Sequence, residues 1–160
     1  MVMENFFYRR ATVKDCEHLS KLAHNLNLFH GMDLSPNSEK LASDWGKYDA
    51  YVVEDENKEV IGFAQGYETY QVHDASSGYE IQNLYISDRF RKKGLGKSLL
   101  HKMIKEKHDT GTEVFKLTIL KSNESALLFY KSLGFEMKDG NILYFAKLKG
   151  KNLENFLKSD

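Results

Sequence analysis

The stretch from Arg91 to Gly96, with the sequence Arg-Lys-Lys-Gly-Leu-Gly, constrains the fold more than any other part of this 160-residue chain. It lies between a run of alternating apolar and polar residues, typical of a strand, and a run with the apolar spacing of an amphipathic helix. The first N–H groups of a helix have no partner within it and carry partial positive charge. Two glycines allow the main chain to approach an anion closely. The sequence therefore predicts a strand–loop–helix unit whose loop binds phosphate groups.

Two common phosphate-binding loops are excluded by spacing. A Walker loop would end as Gly96-Lys97-Ser98 does, but its first glycine would fall at position 91, which is arginine. A dinucleotide-binding loop would use Gly94 and Gly96, but its third glycine would fall at position 99, which is leucine. The pattern that remains is R-x-x-G-x-G.

A second motif follows from Asn123 to Phe135, with the sequence Asn-Glu-Ser-Ala-Leu-Leu-Phe-Tyr-Lys-Ser-Leu-Gly-Phe. Together with the glycine loop and the strand-like run from Tyr79 to Ile86, it resembles the two signature motifs of the GNAT superfamily of N-acetyltransferases. The two motifs stand in the order and at the separation that this superfamily shows. The resemblance extends from about Tyr8 to Leu148.

The resemblance implies a fold of the α+β class, or α/β in three layers. Its central sheet is mixed and mostly antiparallel, with six to seven strands, helices on both faces, and a slot where the fourth and fifth strands splay apart. Apolar periodicity and turn residues predict elements in a matching order. The predicted strands are 6–9, 50–54, 60–67, 79–86, 114–120, 135–137 and 142–148. The predicted helices are one capped by Thr12 with apolar positions from 16 to 26, then 37–44, one behind the glycine loop, and 125–133. The predicted turns are 55–59, 73–78 and 138–141.

Length and composition exclude several classes of protein. A chain of 160 residues with 41% hydrophobic content is expected to form one domain, 1–160, whose tail 149–160 docks as a short helix. The 23 basic and 23 acidic side chains balance, which argues against nucleic acid or an anionic membrane as a partner. A lone cysteine, Cys16, excludes an internal disulfide, and the histidine spacing matches no zinc motif. We expect a cytoplasmic protein without a metal, since no apolar run fits a signal peptide or a membrane span.

The resemblance implies acetyl-CoA as co-substrate. Main-chain N–H groups from Lys92 to Lys97 would surround its diphosphate, and the amide-rich pantetheine arm would pair with the strand at Leu84 to Ile86 like an added strand. Asn123 would either cap its helix or bond to the pantetheine amides. The candidate cofactor-binding residues are Leu84, Tyr85, Ile86, Arg91, Lys92, Lys93, Gly94, Leu95, Gly96, Lys97, Asn123 and Ala126.

The resemblance also implies catalytic roles. Tyr130 occupies the position at which members of the superfamily carry the acid that protonates the departing sulfur, although its helical pattern alone indicates a core residue. The Glu-Asp pair of the polyamine-acetylating branch is replaced here by Gln82-Asn83. Glu80 shares a strand face with Gln82 by alternation and becomes the candidate base, or else an exposed cross-strand partner. The candidate acceptor contacts are Phe29, His30 and Gln82.

The expected function is direct acetyl transfer from acetyl-CoA to the primary amine of a small molecule, with a layout nearest to the diamine and polyamine branch. Alternatives that stay open are an amine of a peptide, a protein or an aminoglycoside, and a non-catalytic CoA-binding module. A nucleic-acid binder that uses Arg89, Arg91, Lys92 and Lys93 lacks an aromatic stacking platform and is disfavoured. Many members of the superfamily pair as dimers, which makes a homodimer a further expectation.

Overall fold

A computed structural model describes residues 4–141 and 143–159 of the chain. Within these residues it contains seven strands and five α-helices. The strands are β1 Phe7–Arg10, β2 Asp49–Glu54, β3 Val60–Gln71, β4 Ser76–Ile86, β5 Val114–Leu120, β6 Glu136–Asp139 and β7 Leu143–Lys149. The helices are α1 Cys16–Phe29, α2 Ser38–Ser43, α3 Leu95–Asp109, α4 Glu124–Ser132 and α5 Gly150–Leu157. None of the helices in the described ranges is long and apolar enough to cross a membrane.

The strands form one seven-stranded sheet in the order β1-β2-β3-β4-β5-β7-β6. The pairs β1–β2, β2–β3, β5–β7 and β6–β7 are antiparallel, and β4–β5 is parallel. This mixed, mostly antiparallel sheet confirms the predicted fold class. The expectation that the tail docks as a helix is also confirmed, because α5 buries Leu153 and Phe156.

The chain divides into two compact units, residues 1–66 with 83–103 and residues 67–82 with 104–160. In the first unit, α1 and α2 pack on one face of β2 and β3, around an apolar cluster that includes Leu22, Val52 and Phe63. Tyr8 on β1 lies on the opposite face, since it pairs with Val53 rather than with Val52. Burial raises the pKa of the Tyr8 hydroxyl, and the nearby Ser98 side chain in the first turn of α3 opposes this rise. The loop that precedes α3 thus lies on the other face of this unit.

Gly62 on β3 is required by close packing in the first unit. A Cβ atom at this position would lie 2.8 Å from the main-chain oxygen of Tyr85 and 2.6 Å from the Ile86 side chain. Main-chain atoms cannot yield as a flexible side chain can. The glycine therefore allows β3 to approach the end of β4.

In the second unit, alternate residues of three strands build a covered face. Tyr79 on β4 and Phe115 on β5 are opposite each other in the ladder, with ring centroids 6.0 Å apart. Both are fully buried, as are Ala146 and Leu148 on β7. Residues that alternate with these along each strand, such as Glu80 and Lys116, point to the other face of the sheet.

The structure corrects several predicted boundaries. Thr12 precedes a short 3-10 turn, Val13–Asp15, and α1 begins only at Cys16. The strands β3 and β4 extend to Gln71 and from Ser76, so much of the predicted turn 73–78 is strand. Lys138 and Asp139 belong to β6 rather than to a turn, because Lys138 pairs with Phe145 on β7. Ile142, predicted to begin the last strand, lies outside the described residues.

One ion-pair network joins β1, β2 and the start of α1. The Arg9 guanidinium donates to both oxygens of Asp15, at 2.8 and 2.9 Å, and to Glu54 Oε1 at 2.9 and 2.5 Å. Asp15 also accepts the Thr12 main-chain N–H at 2.7 Å. Hydrogen bonds from Arg9, followed by that from Thr12, lower the pKa of Asp15 despite its burial. The network fixes where α1 leaves the sheet.

Replacement of Asp15 by Asn is expected to reduce the free energy of unfolding at neutral pH by about 1 to 3 kcal/mol, because a buried partner of Arg9 loses its charge. The loss of stability is modest because water reaches Arg9, whose side chain is 37% exposed. A lowered folded pKa makes this contribution present above the unfolded value of 3.8 and lost as the pH falls through the folded pKa. Urea unfolding from pH 7 to pH 2 should show the variant and the wild type converging in acid.

The matched control is Asp109→Asn, which removes an exposed partner of Lys105 on α3. It should change stability much less, since surface pairs contribute little. An equal loss in both variants would show that the Arg9 network adds nothing beyond an ordinary surface pair.

Candidate functional site

The glycine loop before α3 presents a row of main-chain N–H groups. Lys92 and Gly94 both have left-handed φ angles, of 61° and 77°. The carbonyl of Gly94 accepts the first helical hydrogen bond of α3, from the Ser98 N–H at 3.1 Å. Among the described residues, no acceptor bonds to the N–H groups of Lys92, Lys93, Gly94, Leu95 or Gly96. Five unpaired donors at a helix N-terminus fit the diphosphate that the sequence motif predicts.

The side chain of Arg91 makes several contacts within the protein. Its Nε donates to the Ile86 carbonyl at 2.9 Å, and its Nη2 lies 2.8 Å from Asp88 Oδ1. The guanidinium carbon lies 5.2 Å from the ring centroid of Phe29 and 5.3 Å from that of Tyr85. The Arg91 guanidinium is thus engaged by a carbonyl, a carboxylate and two aromatic rings of the protein. The main-chain N–H of Arg91 also donates to the Asp88 carbonyl, at 3.2 Å, and the role of Arg91 as a diphosphate ligand stays a prediction.

Lys93 is also held by protein groups. Its ammonium pairs with Glu4 and lies 5.6 Å from the ring centroid of Phe90 and 6.0 Å from that of Phe6. Lys92 is exposed, and no ion pair of Lys92 occurs in the described residues. Of the basic side chains at positions 91 to 93, Lys92 is the one that remains available to attract phosphate.

The fourth and fifth strands separate after a short parallel ladder. Tyr79 pairs with Phe115 and Glu80 with Lys116, and no further pair of β4 with β5 occurs in the described residues although both strands continue. Beyond Lys116, the edge of β5 that faces away from β7 has no strand partner among the described residues. Leu84, Tyr85 and Ile86 lie in the part of β4 beyond the ladder.

Glu80 and Gln82 lie on the face of β4 opposite to the buried Tyr79 and Ile81, as the alternation predicts. Burial raises the pKa of the Glu80 carboxyl above its ordinary value, and the positive charge of Lys116 opposes this rise in part. A carboxylate with a raised pKa is a better proton acceptor than one on the open surface. Asn83, next to Gln82, donates to Gln65 Oε1 at 2.7 Å and is thereby engaged within the protein.

Tyr130 lies in the second motif, on α4. Its ring packs edge-on against Phe129 and Phe135, with centroids 5.1 and 5.3 Å away. The residue is partly exposed, yet burial alone raises the pKa of its hydroxyl. The phenol therefore stays protonated at neutral pH. No hydrogen bond to this hydroxyl is found in the described residues.

Asn123 adopts the capping role. Its Oδ1 accepts the Ala126 N–H at 3.2 Å at the start of α4. Helix capping is one of the two roles predicted for Asn123, the other being a bond to the pantetheine amides. The same hydrogen bond occupies the main-chain N–H of Ala126.

Phe29, at the end of α1, lines a cavity of about 460 Å³ in the first unit. The cavity is bounded by Asn25, Leu28, Phe29, Tyr85, Ser87, Asp88, Arg89 and Arg91. His30 is exposed and packs edge-on against Phe29, with centroids 5.4 Å apart. The volume falls in the range of small-molecule sites.

Residues 19–135, nearly three quarters of the chain, match the Acetyltransferase (GNAT) family. The chain belongs to this family. Membership confirms the predicted superfamily, a family of acetyltransferases. The diamine and polyamine branch remains a prediction, since no comparison distinguishes it.

Individual relatives agree with this assignment. An uncharacterised N-acetyltransferase of Methanocaldococcus jannaschii is 35% identical over 60 residues, which cover 38% of this chain and 26% of that protein. The chain thus matches about a quarter of the length of this curated relative. The structure is similar to yncA of Salmonella typhimurium, solved with its cofactor acetyl-CoA, with a TM-score of 0.71, 23% identity and coverage of 91% of this chain and 94% of that one. It is also similar to the aminoglycoside acetyltransferase meta-AAC0020 from an uncultured soil metagenomic sample, in complex with trehalose, with a TM-score of 0.74, 20% identity and coverage of 86% and 92%. At this identity the two structures establish the fold.

The sequence motifs did not single out Asp88 or Lys116. Asp88 stands three residues before Arg91, a spacing that permits an ion pair in a turn, but the motif drew attention to the basic residues alone. Lys116 faces Glu80 only because β5 is paired in parallel with β4. The parallel pairing of β4 with β5 cannot be read from the spacing of residues along the sequence.

Replacement of Arg91 by Lys keeps the charge and removes both the Nε donor and the stacked plane. We expect the variant to lose about 1 to 2 kcal/mol of stability, a fall of roughly 5 °C in Tm, with acetyl-CoA affinity little changed well below that temperature. Differential scanning fluorimetry and calorimetric titration measure the two quantities. The control is Arg89→Lys, at an exposed site. An unchanged Tm with strongly weakened acetyl-CoA binding would instead make the guanidinium a ligand of the diphosphate.

Replacement of Glu80 by Gln is expected to stabilise the protein at neutral pH. The folded pKa of Glu80 is raised, so its ionisation favours the unfolded chain; stability is full below the unfolded value of 4.5 and lost as the pH rises through the folded pKa. The variant should therefore exceed the wild type in Tm at pH 7, with the difference vanishing near pH 4. Glu154→Gln, at an exposed position of α5, controls for the loss of one carboxylate. A variant less stable than the wild type at pH 7 would contradict the raised pKa.

Proposed function

We propose that the chain is an acetyl-CoA-dependent N-acetyltransferase that acts on the primary amine of a small molecule by direct attack. The observation that carries the proposal is the row of unpaired N–H groups from Lys92 to Gly96 at the start of α3, within a chain of the GNAT family. These donors suit a diphosphate and have no other partner in the described residues.

Acetyl-CoA, when bound, supplies an acetyl group activated as a thioester. The loop amides from Lys92 to Gly96 hold its diphosphate, with Lys92 as the nearest available cation. The main chain from Leu84 to Ile86 offers donors and acceptors to its pantetheine amides. Arg91 positions the loop by bonding the Ile86 carbonyl.

The acceptor must become neutral before it attacks, because only about one amine in a few thousand with a pKa near 10.4 is uncharged at pH 7. Glu80 takes this proton, directly or through water, and its raised pKa suits it to the task. The nitrogen lone pair then forms the N–C bond to the acetyl carbon, and the negative charge on the acetyl oxygen is met by a main-chain N–H near Tyr85 or Ile86.

Tyr130 protonates the sulfur as the C–S bond breaks. Its raised pKa keeps the phenol neutral, so the proton is present when the thiolate leaves. The ammonium loses two protons in total. One passes to water through Glu80, and the second replaces the proton that Tyr130 gave to the thiolate. The products are the acetylated amine, the free thiol and one released proton.

The first unit contains a cavity of about 460 Å³ beside Phe29, a volume typical of small-molecule sites. Its lining combines apolar surface from Leu28 and Phe29 with polar groups of Asn25, Ser87 and Asp88. Sites for small molecules have this mixture of apolar walls and few polar groups. Phe29 is exposed over 59% of its surface and is available for contact.

Replacement of Tyr130 by Phe tests the proposal, because it removes the acid and keeps the ring that packs against Phe129 and Phe135. We expect kcat to fall by about 10²- to 10³-fold, with the Kd for acetyl-CoA unchanged. Thiol release with a panel of amines measures kcat, and calorimetric titration measures the Kd.

A wild-type protein that binds acetyl-CoA without acetylating any amine would be a CoA-binding module rather than an enzyme. A wild-type protein that neither binds acetyl-CoA nor turns over would contradict the whole proposal. The control variant is Tyr70→Phe, an exposed tyrosine of β3, which should leave both constants unchanged.

A further inference from the structure

One face of the sheet in the second unit carries a cluster of four lysines, named here the lysine face: Lys116, Lys138, Lys147 and Lys149. The register places them together. Lys116 on β5 is directly opposite Lys147 on β7, and Lys149 is opposite Val114. Lys138 on β6 is opposite Phe145, the residue two before Lys147. All lie on the face opposite to the buried Phe115, Ala146 and Leu148.

Lys138, Lys147 and Lys149 form no ion pair in the part of the chain that the structure describes, and Lys116 interacts with the charge of Glu80. Side chains directly opposite in an antiparallel pair lie about 5 Å apart at Cβ, and like charges at this distance destabilise the sheet. The chain as a whole carries equal numbers of basic and acidic side chains. A face with four lysines, in a protein of balanced charge, is suited to an anionic ligand.

The lysine face borders the candidate base. Glu80 on β4 is the ladder neighbour of Lys116, which is in turn the neighbour of Lys147. Two strand separations of about 4.8 Å place the main chains of Glu80 and Lys147 about 10 Å apart. The Lys116 side chain extends over Gly78, where its Cε lies 3.6 Å from the position a Cβ atom would occupy. A cationic group is therefore fixed close to Glu80.

The other carboxylate in this row turns away from the face. Glu136 on β6 is opposite Lys147, but its Oε1 lies 3.5 Å from the Asn152 amide of α5. Thr118, Leu120 and Phe145 also lie on this face, and all three are exposed. Glu80 therefore stands as a single carboxylate at the border of a surface with four positive charges.

We infer that the acceptor is a small amine that also carries a carboxylate, bound with its nitrogen at Glu80 and its carboxylate on Lys116 and Lys147. This inference rests on the proposed function and deepens it by giving the chemical class of the acceptor.

The same charges explain why such an acceptor reacts. Positive charge near the bound amine favours its neutral form, which is the form that attacks. A carboxylate at the far end offsets the repulsion that the amine experiences on approach. A diamine has no such group and meets like charge at both ends, so the lysine face discriminates against polycationic acceptors.

A matched series tests the inference: butylamine, 1,4-diaminobutane and 4-aminobutanoate, which share a four-carbon chain and differ in one end group. For the wild type, kcat/KM should be highest for 4-aminobutanoate and lowest for the diamine. The preference should fall as salt rises from 0.05 to 0.5 M, because salt screens exposed charges.

The decisive variants are Lys116→Gln, Lys147→Gln and the double substitution, with Lys151→Gln on α5 as the exposed control. Each single variant should raise KM for 4-aminobutanoate about three- to tenfold and leave KM for acetyl-CoA unchanged, and Lys147→Gln should also leave KM for butylamine unchanged. Independently of activity, Lys147→Gln should raise the Tm of the free protein by about 1 °C, since it removes a like-charge pair.

Two outcomes would overturn the inference while leaving the proposed function intact: a wild-type preference for the diamine, and lysine variants that change KM for acetyl-CoA instead of the acceptor. Acetylation of an acidic peptide but of no small amine would overturn both the inference and the small-molecule acceptor of the proposed function. Failure of acetyl-CoA binding, by contrast, would remove the proposed function itself. Turnover of 4-aminobutanoate that is equally sensitive to Lys151→Gln would reduce the effect to general surface charge and also refute the inference.

Discussion

The proposed function depends on five main-chain donors, from Lys92 to Gly96, that have no protein acceptor among the residues that the structure describes. Left-handed backbone at Lys92 and Gly94 turns the loop so that it enters α3 with its first N–H groups unpaired. Such groups are stabilised by an anion, and the loop is held ready for one by protein contacts made elsewhere. Arg91 provides the main contact by bonding the end of β4 and stacking on two rings.

The two units contribute different chemistry. The first contains the anion-binding loop, its Arg91 support and the cavity beside Phe29. The second contains the residues proposed for proton transfer, Glu80 and Tyr130, and the lysine face. In the second unit, burial raises the pKa of both proton-transfer groups. A raised pKa makes the carboxylate a stronger base and keeps the phenol in its acid form, so one physical effect prepares both roles.

Local patterns predicted much of the fold. Apolar alternation located the seven strands, and the motifs placed the loop before α3 and the cap of α4 at Asn123. What the sequence could not supply depends on partners distant along the chain. The extension of β3 and β4 into a segment with turn-forming residues follows from strand pairing, which overrides local preference. The role of Arg91 and the opposition of Lys116 to Lys147 likewise follow from tertiary contacts and register.

The most direct test of the central claim follows individual amides. In a ¹⁵N-labelled protein titrated with acetyl-CoA, the N–H resonances of residues 92–96 should show the largest shift changes and slowed hydrogen exchange, because the diphosphate accepts their hydrogen bonds. Saturable binding that leaves these five resonances unchanged would contradict the account, since the cofactor would then be held by another part of the chain.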